Sequence, residues 1–261
     1  MTSLKVLITG ANGHLAPFVI ARLRDRYQLT LTSGSEPSKT NRDIPFIKAD
    51  LADYEKVVKS LEGQDVVIHM ASVLNNRLEL PPTAFADAMV KGTWHIAEGC
   101  VRHGVRRLIH ISSILACGQP KDSSEPYRIG DPARFDKRDL LYPLAKHLAE
   151  EILNAYHDAH GLAVIHLRPG VIAGDPRYPA PARPETRMTN QFWFRHVDPR
   201  DVAQAIDIAI TADREHGCYH LIAGRADSMF DWTTASTELG YRPAHNWPEI
   251  PVSLNRFSRE G

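Results

Sequence analysis

One stretch near the N-terminus limits the possible folds more than any other. Leu4-Lys5-Val6-Leu7-Ile8-Thr9 is a short apolar, β-rich run, consistent with a strand buried on both faces. Gly10-Ala11-Asn12-Gly13-His14-Leu15-Ala16 follows at once, and Phe18 to Tyr27 then carries Val19, Ile20, Leu23 and Tyr27 at helical spacing. Glycines at such a turn permit a tight bend and close backbone approach, and the N-terminus of the following helix offers free N–H groups to a pyrophosphate. The spacing is Gly-x-x-Gly-x-x-Ala, and Ala16 is small enough for close helix–strand packing at the third position. A glycine turn without a ligand is the plainer reading of the loop alone; its place between strand and helix favours dinucleotide binding.

The rest of the chain repeats the alternation. Strand-like runs at 28–32, 44–49, 65–72, 107–113 and 162–167 are interleaved with helical patterns at 54–61, 84–102 and 142–160. This predicts an α/β fold, a Rossmann-like doubly wound parallel sheet. Residues 1–174 are read as the dinucleotide-binding domain. From Asp175 the composition shifts, with Pro176, Pro179, Pro181 and Pro184 marking irregular structure, and 175–261 is read as a small substrate-binding region interwoven with it. Within that region Asp198 is a fair N-cap before Pro199, a strand is expected at 218–222, and a helix over 232–239 precedes Gly240.

Charge and cysteine use narrow the function classes. Lys plus Arg and Asp plus Glu number 31 each, so the net charge gives no case for nucleic acid or an acidic membrane surface. Runs such as Val66-Val67-Ile68 are far too short to cross a bilayer, and the N-terminus lacks a charged segment followed by a long apolar core. A cytoplasmic location is therefore expected. Cys100, Cys117 and Cys218 are isolated and read as reduced thiols. Of the 13 histidines none forms a metal-ligand spacing; His69, His110, His166 and His220 read as strand or loop residues, and no metal is expected.

Chemistry concentrates at Tyr142-Pro143-Leu144-Ala145-Lys146. A tyrosine and a lysine four residues apart on a helix share one face. A phenol titrates near 10, and a neighbouring ammonium favours the phenolate, which makes the pair a plausible proton-transfer device. A simple surface contact explains the same spacing equally well when it stands alone. Around it, Ser112 and Ser113 end the fifth strand-like run, and Asp50 ends the third, where a carboxylate can accept from an adenine amino group. Ala71-Ser72 gives the fourth a small exit for backbone approach. After the second run the acid that usually binds an adenosine 2′-hydroxyl is absent: Ser33, Gly34 and Ser35 stand there, with Lys39 and Arg42 beyond. This tilts an NAD(P) assignment slightly towards NADP, although Glu36 could still serve the hydroxyl.

Taken together these residues resemble the extended short-chain dehydrogenase/reductase superfamily, more narrowly the NAD-dependent epimerase/dehydratase family, over nearly the whole chain. Gly10, Gly13 and Ala16, Asp50-Leu51, His69 through Ser72, Tyr142 with Lys146, Arg168-Pro169-Gly170 through Gly174, and His196 through Val202 carry the likeness. It implies a catalytic set of Ser113, Tyr142 and Lys146. It also implies cofactor contacts at Gly10, Asn12, Gly13, His14, Leu15, Ser33, Asp50, Leu51, Met70, Ala71, Ser72, Ile111, Tyr142, Lys146, Pro169 and Val171. Ser72, Leu74, Ser113, Ile114 and Arg187 would bind substrate. The chain is most similar to uronate dehydrogenase-like members, in which the position of Arg187 grips the substrate carboxylate. It departs from them where an Asn-His pair becomes Ile114-Leu115 and a serine becomes Val171. The implied function is hydride transfer between a nicotinamide cofactor and a sugar acid or related hydroxyl or carbonyl compound. A nucleotide-sugar epimerase or dehydratase and a non-catalytic NAD(P)-binding sensor are the alternatives. A homodimer through a bundle of the 84–102 and Tyr142 helices is also implied.

Overall fold

The computed structural model describes residues 3–38, 41–73, 80–118, 126–135, 137, 140–172, 196–224 and 228–245. Its strands are β1 (Lys5–Thr9), β2 (Gln28–Ser33), β3 (Phe46–Lys48), β4 (Val66–His69), β5 (Arg107–Ile111), β6 (Ala163–Pro169), β7 (Val171–Ile172), β8 (His196–Val197) and β9 (His216–Leu221). The helices are α1 (Ala16–Leu23), α2 (Tyr54–Ser60), α3 (Pro82–Phe85), α4 (Gly92–His103), α5 (Leu141–His160), α6 (Pro199–Thr211) and α7 (Thr233–Glu238). Seven strands form one sheet in the order β3-β2-β1-β4-β5-β6-β9, every pairing parallel, and β7 and β8 make a second two-stranded sheet. The order reverses between β1 and β4, the position at which open α/β sheets bind ligands.

Strand periodicity assigns the two faces. Val6, Ile8, Val66, Ile68, Ile109 and Ile165 join α1 and α6 residues in one core. Leu7, Val67, Leu108 and Val164 point the other way, into a core with Val57, Ile96, Cys100 and Leu153 from α2, α4 and α5. Both faces of the central strands are thus covered by helices, which accounts for their continuous apolar runs.

The structure corrects several boundaries. The first helix starts at Ala16, not Phe18, because Pro17 is tolerated in a first turn whose N–H groups have no intrahelical partner. The helix expected over 84–102 is broken: between α3 and α4, Ala86–Lys91 forms a π-helical turn. Gly92 follows it, and a Cβ there would lie 2.7 Å from the Leu51 Cβ, so a glycine lets α4 approach the turn after β3. The stretch after β5, which reads as loop, holds a 3-10 turn at Ile114–Cys117 and bridges pairing Gly118 with Arg134 and Tyr127 with Phe230. Asp198 does cap α6, accepting from the Arg200 N–H at 2.9 Å, with Pro199 in the first turn.

Candidate active site

Five strand ends converge on one edge of the sheet. Thr9 pairs with Thr32 and His69, His69 with His110, and His110 with His166, so the residues after β1, β2, β4, β5 and β6 leave the sheet in line. The glycine turn begins there. Gly10 has φ +68°, and a Cβ on it would lie 2.7 Å from the Ala71 Cα and 2.8 Å from the Ala71 nitrogen. The Gly13 N–H donates to the Gly10 carbonyl at 2.8 Å and that of Ala16 to Gly13 at 3.2 Å, closing the turn onto α1.

Behind the turn a buried histidine ties the cradle together. The Met70 and Ala71 N–H groups both donate to Thr9 Oγ1 at 3.2 Å. That hydroxyl therefore has its own proton for His69 Nδ1, 2.9 Å away. His69 Nε2 then donates to Thr93 Oγ1 at 3.1 Å, which donates to the Met89 carbonyl in the π turn at 2.5 Å. Burial, with a minor push from Lys146, drives His69 down to about 3, so the ring is neutral and serves structure.

Around the ends of β2 and β3 the structure adds contacts to the expectation. Asn12 does not face the mouth of the turn alone: its Nδ2 donates to Ser35 Oγ and the Glu36 carbonyl, both at 2.8 Å, and its Oδ1 accepts from the Ser38 N–H at 3.2 Å. It fastens the loop after β2. Lys48, paired in register with Ser33, holds the Glu36 carboxylate at 2.6 Å. Asp50 is exposed beside Gly34, accepts from the Ala52 N–H at 2.9 Å, and is followed by Leu51, whose carbonyl is bound by His95 at 2.8 Å.

At the other end, Ser113 is buried and extended, and its Oγ accepts from the Leu115 N–H at 3.1 Å as cap of the 3-10 turn. That turn packs on α5. Tyr142, the second residue of α5, sits half-buried against Phe85, Met89 and Ala145. Lys146 is 4% exposed and donates to the Ile111 carbonyl at 2.6 Å. Its pKa is pushed down to about 8 by burial, partly offset by Glu150. Ile114 is buried with Tyr127 and Phe230, and Val171 is half-buried at the start of β7. Leu74 and Arg187 lie outside the described residues. His14 and Leu15 open α1, and Ser72, exposed, directs its hydroxyl to the Val73 carbonyl at 3.2 Å.

Several parts of this edge escape a motif search. The His69–Thr93 link joins residues 24 apart and carries no sequence signature. The spacing of Lys48, which ends β3, two residues before Asp50 was legible in the sequence. So was Glu150, four residues beyond Lys146. Among the described residues no group of three His, Cys, Asp or Glu side chains could hold a metal ion, and no helix is long and apolar enough to cross a membrane.

Comparison with known proteins agrees with this geometry. A family model described as the NAD dependent epimerase/dehydratase family matches residues 6–197. L-arabinose 1-dehydrogenase (NAD(P)(+)) of Haloferax volcanii is 23% identical over 93% of this chain and 97% of its own. A uronate dehydrogenase of Pseudomonas syringae pv. tomato is 30% identical over 66% of this chain and 61% of its own length. Among solved structures, a tyrosine-to-alanine variant of uronate dehydrogenase from Agrobacterium tumefaciens, complexed with NAD, superposes with a TM-score of 0.78 at 20% identity, covering 94% of this chain and 86% of that one.

Proposed function

The chain belongs to the NAD dependent epimerase/dehydratase family, and from that premise we propose that it is an NAD(P)-dependent dehydrogenase acting on a sugar or sugar acid. The observation that carries this reading is Lys146, buried one helical turn from Tyr142 and anchored on the carbonyl that ends β5. A dinucleotide fits the edge described above. The Gly10–Ala16 turn has no side chain where backbone must approach, and Asp50 leaves a carboxylate exposed beside Gly34. Gly13, Leu15, Ser33, Asp50, Ala71, Ile111, Lys146 and Pro169 would hold it. When bound, the nicotinamide supplies hydride acceptance or donation at its ring carbon.

The protein's own work is then proton transfer and positioning. In the oxidative direction Tyr142 takes the proton of the substrate hydroxyl, and in the reductive direction it returns one. The Lys146 ammonium favours the phenolate that accepts. Ser113, its hydroxyl oriented by the Leu115 N–H, holds the reacting oxygen within reach of the tyrosine. The two sugar dehydrogenases above support a sugar over an apolar ketone. The test is a panel of uronic acids, aldoses, alcohols and ketones with NAD and NADP, read at the nicotinamide absorbance. Turnover confined to apolar ketones would remove the sugar assignment.

For the cofactor, the reading favours NADP. The Lys48–Glu36 pair occupies the Glu36 carboxylate, and Ser33 and Ser35 supply hydroxyls at the end of β2. Glu36→Gln removes an anion and releases Lys48, so kcat/KM with NADP should rise about tenfold, the worth of roughly 1.4 kcal/mol, with NAD unchanged. A fall with NAD instead would show that Glu36 binds the ribose hydroxyl.

A homodimer is part of the same proposal. Trp94 and Leu148, on α4 and α5, are 56% and 39% exposed. Trp94 also lines a groove of about 640 Å³ with Tyr54, Val90, Lys91, His95 and Glu98. Trp94→Glu with Leu148→Lys should sediment as a monomer while the wild type sediments as a dimer. A wild-type monomer would contradict it.

A further inference from the structure

Beside the Tyr142–Lys146 pair the described chain holds a buried ion pair that the proposed reaction leaves unused. Glu150 stands four residues beyond Lys146 and eight beyond Tyr142, so the three side chains share one face of α5. Arg168, on β6, grips Glu150 with two nitrogens, Nε to Oε1 at 2.9 Å and a terminal nitrogen to Oε2 at 2.6 Å. The side chain of Glu150 is 3% exposed. Lys146, as deeply buried, has one proton on the Ile111 carbonyl and two left for the site.

We propose that Glu150, clasped by Arg168, is a positioning residue for Lys146: it keeps the buried ammonium charged, and the clasp keeps the carboxylate from capturing that ammonium. The inference rests on the reading of Tyr142 and Lys146 as the proton-transfer pair.

Burial alone drives a lysine to give up its proton. The groups around Lys146 and Glu150 leave Glu150 as the anion that opposes this. His69 on β4 is driven by burial to about 3, His110 on β5 well below its usual value, and His166 on β6 to about 4. All three are neutral rings near pH 7. Cys117, in the 3-10 turn, is raised by burial to about 11 and stays a thiol. Arg168 is a further cation, which by itself would lower Lys146. Glu150 is desolvated, yet the guanidinium bonds hold its carboxyl below the usual value, so it stays ionised. Its attraction is what raises Lys146 against burial. A bidentate guanidinium–carboxylate pair is a strong and directional contact, so Arg168 remains the carboxylate's direct partner. The sign follows: Lys146 is charged below about 8 and loses its charge above it. Without Glu150 that loss moves to lower pH, and support for the phenolate is lost with it.

The test is the titration of Lys146 in cofactor-free protein, followed by side-chain NMR of labelled lysine and assigned by the resonance missing in Lys146→Met. Glu150→Gln alone strands the Arg168 charge in the interior and risks the fold. The informative variant is therefore the double change Glu150→Gln with Arg168→Met, which removes both charges at similar volume. Its midpoint should lie about one unit or more below that of Arg168→Met, which keeps the anion and lacks the same cation, the shift a nearby opposite charge commonly produces. Glu150→Asp retains the anion and should keep the wild-type midpoint. Equal midpoints in the folded double variant and in Arg168→Met overturn the proposal. Because the titration needs no substrate, it separates the two readings: a shifted midpoint in a chain that oxidises no sugar supports this inference and removes the dehydrogenase. Equal midpoints of those two variants beside an active wild-type enzyme do the reverse.

Discussion

Replacing Tyr142 with phenylalanine should lower kcat by about 10²- to 10⁴-fold, the range lost with a positioned acid–base group. Binding of NAD(P)H should stay close to that of the wild type. The ring packs against Phe85, Met89 and Ala145, and phenylalanine keeps that packing, so the fold and the cradle are retained. Only the group that carries the proton goes. Cofactor fluorescence titration beside steady-state kinetics checks both halves. Full activity in the variant would move the proton-transfer role to another residue. Lost cofactor binding would instead make the tyrosine a structural part of the cradle.

Gly10→Ala should act at the opposite end of the same cradle. Its Cβ would meet two backbone atoms of Ala71 at 2.7 and 2.8 Å, and a backbone cannot step aside as a side chain can. The φ of +68° adds about 1–2 kcal/mol of strain for a residue with a Cβ. Ala71 is held on Thr9, which is held on His69, so the displacement reaches the residues at the ends of both β1 and β4. The expected result is a rise of more than tenfold in the cofactor KM or Kd, equivalent to about 1.4 kcal/mol or more, and a lower Tm. If Gly10→Ala binds NAD(P)H as the wild type does, the turn is not where the dinucleotide lies.

Much of this was legible from pattern. A parallel, doubly wound sheet follows from apolar strand runs alternating with amphipathic helices, because helices must cover both faces of such strands. Gly10, Asp50, Tyr142 and Lys146 stand out because their spacing relative to those elements has a mechanical meaning. What pattern did not show depends on contacts between distant residues. The π turn at Ala86–Lys91 comes from the packing of α4 on the Leu51 turn, which helical periodicity alone does not encode. The neutral His69 bridge needs Thr9 and Thr93 to be brought together by three separate elements. The Asn12 side chain, expected at the cofactor, also fastens the loop at 35–38 through the Ser35 hydroxyl, the Glu36 carbonyl and the Ser38 N–H. The substrate end is the least legible, because Ile114 and Val171 lack the polar groups that would name a ligand and Arg187 lies outside the described residues.

The central claim is net hydride transfer from a sugar to a nicotinamide dinucleotide that leaves the protein. It is tested most directly by counting reduced cofactor released into solution against sugar consumed, with free NAD or NADP in excess and Tyr142→Phe as control. The account predicts equimolar release, lost in the control. Conversion of one sugar isomer into another with no reduced cofactor released would contradict it and identify an epimerase. Cofactor binding with no sugar consumed in any form would contradict it as well, and identify a binding protein.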